Sequence, residues 1–237
     1  MPFEQDTNGS SRSSRGSRRR PDATPSKVEK IRPRSGLSRT EVVENQRARI
    51  FAGFAAALAY HGYEDTKVTD IVELAGISRA TFYERFESKE LCFAAAYEDG
   101  VERLAAAAEE CVGNGRGWAN RLSAGLTAAL DFLAADSSLA HMLFVEALAA
   151  ARPARLEHER SLERLAAALR PPAGEVGRVS AETARMLAGG LASHISGRIL
   201  AGEAERLPEL HEALLRYLLA PSPAALRSTD ERRVAAL

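Results

Sequence analysis

Apolar residues recur at three- and four-residue spacing over most of the chain after residue 40, the pattern of helices that each bury one face. Ile50, Phe54, Ala57, Leu58 and His61 line one face of a first helix. It is expected to start at Arg39 or Glu41, run to His61 and end at Gly62. Val68, Ile71, Val72 and Ala75 line a short second helix, with Thr66 as its N-cap. Gly76 stands where a left-handed C-terminal residue is wanted. Ile77 follows as a plug between helices. Ser78 then caps a third helix, with Phe82 and Phe86 facing inward. Ser88 caps a fourth, with Lys89 and Glu90 in its first turn and Leu91 behind.

Further on, Ala94, Tyr97, Val101, Leu104, Ala108 and Cys111 predict one long helix from Ser88 to Val112, broken by Gly113 to Gly117. A helix from Trp118 to Ala135 carries Leu122, Leu126, Ala129, Leu130 and Leu133. Asp136 and the two serines after it form a turn and cap. The next helix runs from Ser138 to Ala150, and Pro153 opens another that reaches Leu169. After a Pro-Pro-Ala-Gly loop come a helix from Ala181 to about Ala204 and a shorter one from Pro208 to Leu219. No proline occurs between Arg34 and Arg152, which suits long helices. Alanine and leucine dominate after residue 90 and β-branched runs are scarce, so the fold is expected to be all-α.

Residues 66 to 91 carry the chemistry. Two short helices joined by a glycine turn, with a third starting at once, place a small helix where it can enter a DNA major groove. Val68-Thr69-Asp70-Ile71, Ala75-Gly76-Ile77-Ser78, Thr81-Phe82-Tyr83, Phe86 and Ser88-Lys89-Glu90-Leu91 resemble the DNA-binding domain of the tetracycline-repressor (TetR) family. The resemblance runs from about Arg47 to Phe93 and includes the first helix with its closing Gly62-Tyr63. Arg85 departs from it where histidine is common, and is read as phosphate-facing. Lys67 replaces a common threonine or serine. The expected DNA-contacting residues are Thr66, Lys67, Thr69, Ser78, Arg79, Ala80, Thr81, Tyr83 and Lys89. Arg79 and Thr81 would meet base edges and Ala80 a thymine methyl. Tyr83, Lys89, Thr66, Lys67 and Thr69 would meet phosphate or the groove edge.

The resemblance implies more than the residues show. It implies a helical C-terminal domain that binds a ligand and dimerises, giving residues 1–38 as a basic arm, 39–87 as the helix-turn-helix domain, 88–221 as the ligand-binding and dimerisation domain, and 222–237 as a loose tail. Tyr97, Trp118, Leu122, Phe132, His141, Met142, Phe144 and Met186 would wall the pocket, although such a stripe also suits plain core. Few ionisable groups lie near them. His141, Glu146 and His194 would serve as polar handles for a largely apolar effector. Leu187, Gly190, Leu191, Ile195, Leu210, Leu214, Tyr217 and Leu218 would pair with a second copy, the alternative being ordinary packing within one chain. The partners implied are double-stranded DNA with a palindromic operator, a second copy of the chain and a small-molecule effector. The expected function is a sequence-specific transcriptional regulator, a repressor released by its effector. The alternative is a dimeric architectural DNA-binding protein with no effector.

Charge changes one part of this picture. The chain is neutral overall, yet residues 1–40 hold ten Lys or Arg against four Asp or Glu, a net of +6. Residues 41–93 hold six against nine, a net of −3. An acidic DNA-binding core leaves the basic arm as either solvated tail or electrostatic tether to phosphate. No cofactor or metal site is expected: no two of the five histidines share a ligand spacing, and there is no phosphate loop, nucleophile elbow or Cys-x-x-Cys. An enzyme is therefore not expected. His158, among Arg155, Glu157, Glu159 and Arg160, reads as part of a solvated face. Cys92 and Cys111 lie about 28 Å apart along one helix at ~1.5 Å per residue, out of disulfide reach. They are read as two small buried side chains or, alternatively, as a thiol sensor. No segment approaches the ~20 apolar residues of a membrane span, and the N-terminus lacks an apolar signal core. A cytoplasmic location is expected.

Overall fold

The computed structural model describes residues 39–112, 117–150, 152–172 and 179–220, and these are helical with no strand among them. The basic arm and the tail after residue 220 lie outside the described residues, so the tether reading concerns a segment not described. Among the described residues there are ten α-helices: α1 Arg39–Asp65, α2 Val68–Ala75, α3 Arg79–Tyr83, α4 Lys89–Val112, α5 Trp118–Ala135, α6 Ser137–His141, α7 Ala147–Ala149, α8 Arg152–Ala168, α9 Ala181–Leu200 and α10 His211–Leu219. A π-helical turn, Met142–Glu146, joins α6 to α7, and a 3-10 helix, Ala204–Leu210, precedes α10.

The first helix does not stop at Gly62. Gly62 adopts φ 74°, ψ 168° and breaks the helix, and one further turn continues to Asp65. Thr66 N–H and Thr66 Oγ1 both donate to the Gly62 carbonyl, at 3.2 and 2.7 Å. Thr66 is thereby used up and 1% exposed. The α2 N-cap is Lys67, one residue later than expected, and its N–H donates to Asp70 Oδ2 at 2.8 Å. Ile50, Phe54, Ala57 and Leu58 are buried as expected, whereas His61 is exposed. Leu91, expected inside, is also exposed.

Helix α4 crosses both halves, packing on α1, α5 and α8. Its deepest residues are Cys92, Phe93, Ala96 and Tyr97. Cys111 is exposed, so only one of the two thiols is core. Asp136 Oδ1 accepts Leu139 N–H at 2.9 Å and caps α6, as its place before two serines predicts. The single helix expected over Ser138 to Ala150 is divided by the π-helical turn. Such a turn holds one residue more than an α-turn and re-aims the side chains around it. Helix α9 ends at Leu200, earlier than expected, where Ala201 and the left-handed Gly202 (φ 75°) turn the chain.

Candidate nucleic-acid interface

Three contacts set the crossing of α1 and α2. Gly53 lies against α2 so closely that a Cβ would stand 2.7 Å from the Ala75 amide nitrogen and 3.0 Å from the Ile71 carbonyl oxygen. Arg49 reaches across and donates through Nη2 to the Ala75 and Gly76 carbonyls, at 2.5 and 2.7 Å. These are carbonyls that a helix end leaves without intrahelical partners, and a guanidinium there also suits the negative end of the helix. Gly76 takes the left-handed conformation (φ 65°) that the sequence calls for. Neither Arg49 nor Gly53 was among the sequence-derived candidates. Their signal is weak, because an arginine or a glycine on an exposed-looking register has many uses.

Helix α3 starts as expected. Ser78 Oγ accepts Thr81 N–H at 3.0 Å, and the two hydroxyls lie 2.9 Å apart. Phe82 is fully buried and packs against Phe86, which meets Phe51 of α1. That anchor turns the rest of the short helix outward. Ser78, Arg79, Ala80 and Tyr83 are exposed, Tyr83 at 48%, and Thr81 is half-buried. Lys67 and Thr69 are exposed beside them at the start of α2. Arg85 is exposed and donates to Gln46 Oε1 at 3.2 Å, joining α1 to the segment after α3.

Two expected DNA contacts are placed elsewhere. Thr66 is buried, with its hydroxyl donating to Gly62, which removes it from the groove edge. Lys89 points inward: Nζ donates to the Tyr63 carbonyl at 2.9 Å and the Thr66 carbonyl at 3.0 Å, and lies 4.4 Å from the centre of the Tyr63 ring. Its ammonium satisfies the end of the turn after Gly62 instead of standing free for phosphate.

The expected ligand and dimer residues are also redistributed. Trp118 and Met142 are buried in the core, Leu122, Phe132 and Phe144 pack against it, and His141 is half-buried. Met186 is 67% exposed, which removes it from the wall of any internal pocket. Tyr97 is buried, and its hydroxyl lies 2.9 Å from both His158 Nδ1 and Ser161 Oγ of α8. Burial pushes the Tyr97 phenol up to about 12, and burial also lowers the His158 pKa. His158 is therefore part of a half-buried cluster, not of a solvated face. A cleft of about 210 Å³ between α8 and α9 is lined by Glu163, Ala166, Ala167, Arg170, Ala181 and Arg185, none of them an expected pocket residue. Glu146, read as a handle for an effector, is 2% exposed and accepts Tyr63 N–H through Oε2 at 2.7 Å.

Leu187, Leu191, Ile195, Leu214 and Leu218 are buried within one chain, where α9 packs chiefly on α8 and the π-helical turn and α10 on α5, rather than facing a second copy. Gly190 lies under Tyr217, where a Cβ would come within 2.1 Å of the phenolic oxygen, and Tyr217 Oη donates to the Met186 carbonyl at 3.1 Å. Leu210 is half-buried. The outward face of α9 is instead Met186, Gly189, Ser193, Gly197 and Leu200, three or four residues apart. Among the described residues, nothing beyond its own helix backbone and chain neighbours stands within 4 Å of a Cβ built on Gly189 or Gly197.

Residues 51–96 match the model of the bacterial regulatory proteins of the tetR family. No curated protein matches the chain. Solved structures share the fold over most of their own length. The transcriptional regulator FadR from Bacillus subtilis, in complex with stearoyl-CoA, is 18% identical, with a TM-score of 0.61 over 72% of this chain and 96% of that one. The fatty acid degradation regulator FadR from Bacillus halodurans is 19% identical, with a TM-score of 0.64 over 74% and 95%. A TetR family transcription regulator from Marinobacter aquaeolei VT8 is 19% identical, with a TM-score of 0.61 over 77% and 98%. The chain thus carries the helix-turn-helix domain of the tetR-family regulators at its N-terminal end, on an all-helical body with the fold of that family's solved structures.

Proposed function

We propose that the chain is a homodimeric, sequence-specific DNA-binding repressor that leaves its operator when a small, largely apolar molecule binds the helical body. The observation that carries the DNA half is α3: a helix capped by Ser78, anchored by Phe82, with Arg79, Ala80 and Tyr83 turned to solvent. Arg79 has the reach and the planar donor pair to read guanine, and Ala80 suits a thymine methyl. Lys67, Thr69 and Tyr83 flank it as groove-edge contacts, and Ser78 stays a candidate through its amide and hydroxyl.

The dimer is supported by the outward stripe of α9. Small side chains at Gly189, Ser193 and Gly197 allow close approach of a second backbone, and Met186 and Leu200, both about two-thirds exposed, bracket them. Twofold symmetry would set two α3 helices against a palindromic site. The Bacillus subtilis FadR that shares this fold holds stearoyl-CoA, which favours an amphiphilic acyl compound as the first class to try. A second reading, a DNA-binding dimer with no effector, is favoured by the burial of Met142 and Tyr97 in the hydrophobic core.

Selection of bound duplexes from a random pool tests the DNA half. An inverted repeat with half-sites about one helical turn apart, or a multiple of it, is expected. A pool that shows no enrichment ends the proposal. Titration of acyl-CoA thioesters into the selected complex then separates the two readings: release of DNA supports the effector, and no release supports the effector-free dimer.

A further inference from the structure

We propose that Glu146 is a positioning residue through which the helical body sets the DNA-reading unit, and that the π-helical turn carrying it is the element that switches. This rests on the DNA-binding reading above and adds its regulation. Gly62, at φ 74° and ψ 168°, breaks the helix immediately before Tyr63. Glu146 Oε2 accepts the Tyr63 N–H at 2.7 Å, across 83 residues of sequence, with Oε1 3.8 Å from His141 Nδ1. The other end of the same turn is held by Lys89, which donates to the Tyr63 and Thr66 carbonyls. Tyr63 packs edge-on against Phe93 of α4. The turn from Tyr63 to Thr66 is thus the joint of α1, α2 and α4, and α2 begins two residues after it.

The π-helical turn is tied on its far side as well. The Phe144 carbonyl accepts the Ser196 hydroxyl of α9 at 2.7 Å, and Ser196 also donates to its own Ala192 carbonyl at 2.9 Å. A continuous set of contacts therefore runs from α9 through Phe144 and Glu146 to Tyr63 and α2. A π-turn contains one residue more than an α-turn. Relaxing it to α geometry rotates the residues beyond it by about 100°, which takes Glu146 away from Tyr63. The two registers give the discrete pair of states that coupling requires. In the latched register α2 and α3 are held against the body. In the relaxed register they are released, and the distance between two α3 helices of a dimer is no longer set.

The test uses the full chain and the duplexes that wild type selects from a random pool. Glu146→Gln keeps an amide oxygen for the Tyr63 N–H and is expected to bind like wild type. Glu146→Leu is expected to melt cooperatively, bind about tenfold more weakly and select a broader range of half-site spacings. Ser196→Ala is expected to shift affinity and spacing in the same direction by less. A cooperatively melting Glu146→Leu with wild-type affinity and spacing overturns the proposal. Where Glu146→Leu does not melt cooperatively, Ser196→Ala decides, and wild-type affinity and spacing in it overturn the proposal. Wild type that selects no duplex would end the regulator reading instead. The latch is then read by hydrogen exchange: faster exchange of the α2 amides in Ser196→Ala upholds it, and unchanged exchange overturns it.

Discussion

Lys89 Nζ donates to the Tyr63 carbonyl at 2.9 Å and lies over the Tyr63 ring. A lysine at the start of the helix after a DNA-reading unit invites a phosphate role, but here its charge holds the reading unit to α4. Lys89→Met should cost about 1.5–3 kcal/mol of stability, the range for hydrogen bonds to a charged group. Because the ammonium is not spent on phosphate, the salt dependence of DNA binding should keep its slope. Thermal melts and binding at several salt concentrations check both. A drop of about 0.9 in the log–log slope with unchanged stability would return Lys89 to the DNA.

Arg79 is the side chain on which sequence reading should depend. Arg79→Ala should cost about 1–3 kcal/mol at the preferred base pair and flatten selection there, with little loss on unrelated duplexes. Competition binding against single-base variants of the selected site measures this. Equal losses on every duplex would make Arg79 a phosphate contact.

Two glycines predict opposite outcomes. Gly53→Ala puts a methyl against backbone atoms of α2, which no rotamer change relieves, so it should destabilise by about 1–3 kcal/mol. Gly189→Ala meets no other helix among the described residues and should raise protomer stability by up to ~1 kcal/mol through helix propensity alone. Chemical denaturation of each variant at the same low protein concentration checks the pair. A neutral Gly53→Ala would mean that α1 and α2 are less closely set.

The outward face of α9 predicts the dimer. Gly189→Arg and Gly197→Arg should leave the protomer folded and shift it to monomer, and sedimentation velocity would show this directly. A variant that stays dimeric would move the interface elsewhere on the molecule.

The pair formed by Tyr97 and His158 predicts a pH dependence. His158 has a lowered pKa in the folded chain, chiefly because burial disfavours its charged form. The unfolded chain then takes up the proton first as pH falls. This contribution to stability is present above the ordinary histidine value near 6.5 and is lost as pH drops through the lower folded value. His158→Gln should flatten the stability profile below about pH 6.5 relative to wild type. Denaturant melts between pH 7 and pH 5 check it, and identical slopes in the two proteins would discount His158.

Much of the reading unit was legible from local chemistry. Gly76 needed a left-handed turn, Ser78 had an amide of α3 in reach, and Phe82 stood where a helix four residues before Phe86 must bury it. Each of these depends on neighbours within a few residues. The spacing of apolar positions likewise marked α5, α8 and most of α4 to within a residue or two. Elsewhere the partner decides. The Thr66 hydroxyl suits an N-cap, but the Gly62 carbonyl, only four residues before it, takes it once the helix breaks at Gly62. Lys89 looked free until Tyr63 folded back on it. Leu187, Leu191 and Ile195 have the pattern of an interface, but periodicity says that a face is covered and not by what.

The amino-acid order alone therefore settled the helical class, the glycine turn and the exposed start of α3, because helix periodicity, capping and left-handed backbone are short-range effects. Only the folded chain decided that Glu146 meets Tyr63, that Arg49 caps α2 and that Met186, Gly189 and Leu200 face outward. Those pairings join residues 26 to 83 positions apart or depend on which of two helix faces an intrachain neighbour takes first. A buried polar group finds its partner in space, and its own stretch of sequence carries no record of which one.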